Sequence, residues 1–189
     1  MGRVKTRSVS LNDLEYAAFD DLSEIKKSIE IEHAKIHAGK SFSYQDVITL
    51  NAGESQNYLF SVPSNAIAPH VGIEVLGGGD ITVEVFTGCD RTGTTLQTLW
   101  NRNMVSTKLA ECTLHKGTSG GTTDGTRFYW KRSGASAGPV KIAGAVGTAA
   151  ERIFKPGDKV LFKITSQTAG QVITFNLEHY IGGPDNEQY

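Results

Sequence analysis

The residues from Ala34 to Ser41 (Ala34-Lys35-Ile36-His37-Ala38-Gly39-Lys40-Ser41) fit a relaxed phosphate-loop pattern, with Ala in the place of the first glycine. Such a loop works only when a helix follows it, because the helix's N-terminal amides hold the phosphates. Here Phe42-Ser43-Tyr44-Gln45-Asp46-Val47-Ile48 reads as a strand, so nucleotide hydrolysis is not expected. His33 and His37 invite a metal reading. Four residues apart on a helix they would share a face, but the alternation of the chain from Ile29 onward predicts a strand, on which they would stand roughly 13 Å apart. That is too far for one ion.

Other chemistry finds less support. Lys155-Pro156-Gly157-Asp158 is similar to a turn of the metal-binding jelly-roll enzymes, yet their H-x-H with a nearby Glu is missing. His70, His115 and His179 read as hydrogen-bonded structural residues. No G-x-S-x-G elbow and no Cys beside a plausible base offers a nucleophile. Tyr44, Tyr58, Phe60, Phe86, Trp100, Phe128, Tyr129 and Trp130 could stack sugars or bases, but their alternation favours core packing. Cys89 and Cys112 have no zinc-ligand spacing and read as two buried free thiols. The expectation is therefore a protein with no catalytic residues, metal or cofactor.

The elements around these residues are short. The 189 residues suit one core, which buries roughly 70% of the unfolded chain's surface. Lys and Arg number 19 against 20 Asp and Glu, a formal charge of -1 that supplies no field for a duplex or an anionic membrane. Arg3, Lys5 and Arg7 read as a solvated tail. The start of the chain has no apolar h-region, and no stretch approaches the roughly 18 apolar residues of a membrane span, so cytosolic synthesis is expected.

Residues 1–28 predict an N-terminal arm: over Ser8 to Ile29, Leu11, Leu14, Ala18, Leu22, Ile25 and Ile29 fall at helical steps, and Ser10 with Asp13 is placed as a capping box. A partly helical arm is favoured over an extended one. Residues 29–189 predict one all-β domain, an antiparallel β-sandwich of jelly-roll-like form. After Ile29-Glu30-Ile31-Glu32, strands are expected at 41–50, 56–62, 70–76, 81–87 and 95–101. Four more follow at 108–114, 126–132, 159–165 and 172–180. Turn chemistry separates them at Asn51-Ala52-Gly53, Gly77 to Asp80, Asp90 to Gly93, Gly117 to Gly125 and Lys155 to Asp158.

The expected core is Leu59, Val71, Ile73, Val75, Val83, Val85, Leu96, Leu99, Phe128, Trp130, Val160, Phe162, Ile164, Ile173, Phe175 and Leu177. Residues 134–150, small and apolar, are too glycine-rich for a helix and too long for a hairpin. They read as a contact loop or a mobile tip.

Several segments, taken in order, carry a resemblance. Residues 31–42 are similar to an I-E-x-H-x-x-I-H-x-G-x-x-F pattern, Phe60-Ser61-Val62-Pro63 to F-x-T-P, and Val83 to Gly88 to V-x-x-Y-E-G. Asn101-Arg102-Asn103 matches N-R-N, residues 153–165 match I-L-K-P-x-T-x-Y-L-x-R-I-T, and Leu177-Glu178-His179-Tyr180 resembles L-E-W-Y-E. Together they resemble the capsid decoration (cement) proteins of tailed phages, departing at His179, where Trp is expected, and at Ile181, where an acid is expected. The likeness covers about residues 31 to 180.

The resemblance implies a virion protein on the outside of the shell, assembled in the host cytoplasm. It would bind the major capsid protein and other copies of itself, as a trimer at local threefold positions, and bridge neighbouring capsomers, with neither nucleic acid nor membrane as partner. The arm, through Leu11, Leu14, Phe19 and Leu22, is the expected contact. The alternative is a tail- or fibre-associated sandwich that recognises a host surface through residues 116–126 and 133–150. A metal-dependent jelly-roll enzyme is the third reading.

Overall fold

The computed structural model describes residues 33–133, 140–141 and 152–181. The arm, with Leu11, Leu14, Phe19 and Leu22, and the stretch Ile29 to Glu32 lie outside the described residues, as does most of 134–150. A helical turn, α1 (residues 33–37), opens the described chain. Twelve strands follow: β1 (Ser41–Leu50), β2 (Ser55–Ser61), β3 (Pro69–Gly77), β4 (Ile81–Thr87), β5 (Thr92–Gln97) and β6 (Trp100–Asn101), then β7 (Thr113–Ser119), β8 (Thr126–Ser133), β9 (Val140–Lys141), β10 (Arg152–Ile153), β11 (Lys159–Ser166) and β12 (Gln171–Ile181). They form two antiparallel sheets packed as a sandwich. One has the order β10-β3-β12-β1-β6, with β9 also on β3, and the other β5-β7-β2-β11-β4-β8.

The alternation of each strand decides which side chains enter the space between the sheets. From β12 come Ile173, Phe175 and Leu177, from β3 Val71, Ile73 and Val75, from β4 Val83 and Val85, and from β11 Val160, Phe162 and Ile164, all buried. Phe175 sits at the centre, stacked on Tyr58 with ring centroids 4.2 Å apart and flanked by Phe162 at 6.0 Å and Tyr44 at 6.3 Å.

Three expected core residues are instead exposed: Leu96, Phe128 and Trp130. The β4–β8 register explains two of them. Val85 pairs with Tyr129, but the next residue, Phe86, pairs with Arg127, so Phe128 is the extra residue of a bulge. The bulge reverses which side each residue faces. Tyr129 turns toward the core, and Trp130, opposite Glu84, turns out.

Leu96 lies on the outer face of its sheet, in line with His115 and Leu59. Leu59 is buried as expected, but outside the sandwich, in a second cluster with Leu161, Cys89 and Phe86. That cluster borders two loops that hydrogen-bond to each other. Asp90 accepts hydrogen bonds from the Thr122 and Thr123 amides, and Arg91 donates to Asp124 at 2.9 Å and to the Gly120 and Gly121 carbonyls. Gly125, at φ +94°, is pressed against the backbone of Thr87 to Cys89, where a Cβ would collide with the Thr87 carbonyl. Cys112 is buried in the main core, and neither cysteine is in a disulfide.

Two further boundaries differ. The strand expected at 108–114 begins only at Thr113 and runs to Ser119, through Gly117, and the one expected at 95–101 is divided between the two sheets as β5 and β6.

His179 is the conspicuous polar residue of the interior. It is wholly buried, with Phe42 stacked at 5.2 Å and Phe60 edge-on at 5.4 Å, and neither ring nitrogen has a hydrogen-bond partner. Its reading as a hydrogen-bonded structural residue is thereby corrected: aromatic packing holds it.

Burial makes the charged form costly and holds its pKa down to about 3 against the ordinary 6.5. Between those values only the unfolded chain takes up the proton. Its contribution is thus complete above about pH 6.5 and is lost as pH falls toward 3. His179→Phe should stabilise the protein, with the gap over the native chain widening by about 1.4 kcal/mol per pH unit below about pH 6.5. Urea unfolding at pH 7, 6 and 5 measures it, and a gap that stays constant refutes the assignment.

Candidate functional site

α1 ends in a Schellman motif. The Gly39 amide donates to the Ile36 carbonyl and the Lys40 amide to that of Lys35, both at 2.9 Å, with Gly39 left-handed at φ +66°. This corrects the strand expected at His33 to His37. A helical turn precedes Gly39-Lys40-Ser41 and strand β1 follows it, which is the reverse of what a phosphate loop needs.

The last carbonyls of a helix lack partners within it, and here a distant loop provides donors. Asn103 Nδ2 donates to the His37 carbonyl at 3.0 Å, Lys108 Nζ to that of Ala38 at 2.7 Å, and Asn101 Nδ2 to that of Gly39 at 3.0 Å. The Arg102 amide donates to the Ser41 carbonyl at 2.9 Å, and its guanidinium lies 3.6 Å from Glu178. A Cβ on Gly39 would collide with Ser106 of the same loop.

The loop also braces itself: Asn101 Oδ1 accepts from the Asn103 amide, Asn103 Oδ1 from that of Val105, and Ser106 Oγ from that of Lys108. What it presents outward is apolar. Trp100 is 63% exposed, Met104 82%, Val105 90% and Leu109 88%. Trp100, expected in the core by alternation, is exposed instead, and the sequence reading named none of Met104, Val105 and Leu109, the last of which it placed in a strand at 108–114. The signal within reach was Asn101-Arg102-Asn103, whose short amide side chains suit loops that bind backbone.

A second polar group lies between the sheets, where β1 faces β2 and β7. Asp46 Oδ2 accepts from Tyr58 Oη and from Lys116 Nζ, each at 2.7 Å, and Tyr44 Oη donates to Gln97 at 3.0 Å. Burial alone would raise the Asp46 pKa, but the hydrogen bonds from Lys116 and Tyr58 outweigh it and hold the carboxyl below its usual range. Burial, reinforced by Asp46, drives both tyrosines well above their ordinary value. Such phenols stay protonated near neutrality and Asp46 Oδ2 already takes two donors, so the group suits a strut between sheets better than proton transfer.

The remaining candidates are scattered. His70 bonds and stacks with Tyr180 on the outer face of β12, and His115 lies beneath Gly93. The turn Lys155 to Asp158 closes on itself, the Lys155 amide donating to Asp158 Oδ2. A pocket bounded by Val71, Ile73, Val85, Phe128, Arg152, Phe154 and Phe162 holds about 10 Å³, room for roughly one water. Among the described residues, no helix is long and apolar enough to cross a membrane. Comparison with protein-family models, curated proteins and solved structures finds no match.

Asp46→Asn should cost about 2 kcal/mol, the scale of hydrogen bonds to a charged group. Tyr58→Phe should cost less once Asp46 is already Asn. A double-mutant cycle by chemical denaturation gives the coupling, and a value near zero would remove the strut reading.

Proposed function

We propose that this chain is a structural protein of a phage virion, which binds the outside of the capsid and bridges neighbouring capsomers without turning over a substrate. One observation carries the proposal. Residues 37–39 and 101–103, two of the segments that resemble decoration proteins, bind each other, and the loop they hold offers Trp100, Met104, Val105 and Leu109 to solvent.

Apolar side chains this exposed favour a protein partner, and a loop already braced loses little entropy on docking. The major capsid protein is the proposed partner, together with other copies of this chain at local threefold positions. Leu11, Leu14, Phe19 and Leu22 of the arm would supply a second contact. Many copies, each contacting two capsomers, convert modest contacts into durable attachment through the lattice's effective concentration.

The tail or fibre alternative draws no support from residues 116–126, much of whose hydrogen bonding is spent on Asp90 and Arg91. A balanced net charge of -1 disfavours nucleic acid and anionic membranes as partners.

Replacing Met104, Val105 and Leu109 together by Ser should leave stability within about 0.5 kcal/mol, as expected for exposed positions. Binding to particles lacking this protein should fall at least tenfold in a sedimentation assay. Deleting residues 1–28 should also abolish binding while the sandwich stays folded. A copy number comparable with that of the capsid protein is expected in purified particles, whereas a few copies at the tail would refute the proposal.

A further inference from the structure

His33 and His37 stand one helical turn apart, and α1 brings their Nε2 atoms to 2.9 Å. The ring centroids are 4.4 Å apart with planes crossing at 76°. Both rings are exposed. Lys35, two residues from each and so on the opposite side of the turn, is buried.

Two neutral imidazoles can meet at this distance with one donating to the other, or both can offer a lone pair to a cation. The spacing suits the second use. With metal–imidazole bonds of about 2.0–2.1 Å, two nitrogens 2.9 Å apart subtend about 90° at the ion. A right angle is the cis angle of square-planar or octahedral sites, the geometries of copper(II) and nickel(II), and is narrower than tetrahedral zinc prefers.

The backbone beneath the pair is held in place by Asn103 on the His37 carbonyl and by the Schellman bonds. An ion bound by both rings would also cross-link the two ends of this helical turn. No group of three or more His, Cys, Asp or Glu able to hold a metal occurs among the described residues.

We infer that His33 and His37 form a two-nitrogen chelate for a divalent ion of the nickel–copper type, with water in the other coordination positions. The test uses the full-length chain without an affinity tag, stripped with a chelator and titrated with nickel chloride by calorimetry. Copper(II) chloride is added separately, and its paramagnetic resonance spectrum recorded.

One ion per chain is expected, with two nitrogens coupled to copper. His33→Ala and His37→Ala should each weaken nickel binding at least tenfold, and His37→Gln should do the same if loss of the ring, not misfolding, is responsible. His70→Ala should leave binding unchanged. Circular dichroism confirms that each variant is folded. No nickel heat from the native chain, or affinity that survives in the folded His33 and His37 variants, overturns the site and leaves the contact as a hydrogen bond between the two rings.

Discussion

The sandwich depends on Phe175 being enclosed from the opposite sheet. It stacks on Tyr58 of β2 and touches Phe162 of β11, while its own strand pairs with β1 on one side and β3 on the other. A buried aromatic contributes by its large apolar area and by the geometry of its ring contacts. Because side chains alternate, placing Phe175 inward commits Ile173, Leu177 and His179 to the same side. Through the pairings, it also commits Phe42, Tyr44, Asp46 and Ile48 of β1. A shift of one residue would turn all of them out.

Two polar groups are carried inside by that register, with opposite energetics. Asp46 meets Lys116 and Tyr58, so its ionised form is matched by donors on the facing sheet. His179 packs against the Phe42 and Phe60 rings and remains neutral, with two unpartnered nitrogens. An unsatisfied buried group costs stability, whereas a satisfied one ties two elements together. The former lies at the end of β12, next to Glu178, which faces Arg102 of the loop that closes α1, and the latter between the sheets at β1, β2 and β7.

The loop that closes α1 is tied to the same strands. β1 begins at Ser41, whose carbonyl takes the Arg102 amide, and Asn101, Asn103 and Lys108 then close the end of α1. The apolar tip of the loop is thus connected by hydrogen bonds to the first residue of the central strand pair. A surface built this way is braced before any partner arrives, which lowers the entropy lost on docking.

Much of the sandwich was legible in the residues themselves. Alternation and glycine turns located β1 and β4 to the residue, and most of the inward face, because period and turn chemistry are local properties. The helical turn was also within reach, since Gly39 follows a short run of helix-compatible residues. The alternation read at Ile29 to Glu32 was instead carried too far. Local pattern says which residues share a face, not whether that face is covered, so the burial of Leu59 and Leu161 outside the sandwich awaited the folded loops. The bulge at Phe128, the donors that Asn101 and Asn103 bring to α1, and the exposure of Met104, Val105 and Leu109 were likewise decided only in the tertiary structure. Each depends on partners distant in the chain, and only the packed fold brings those partners together.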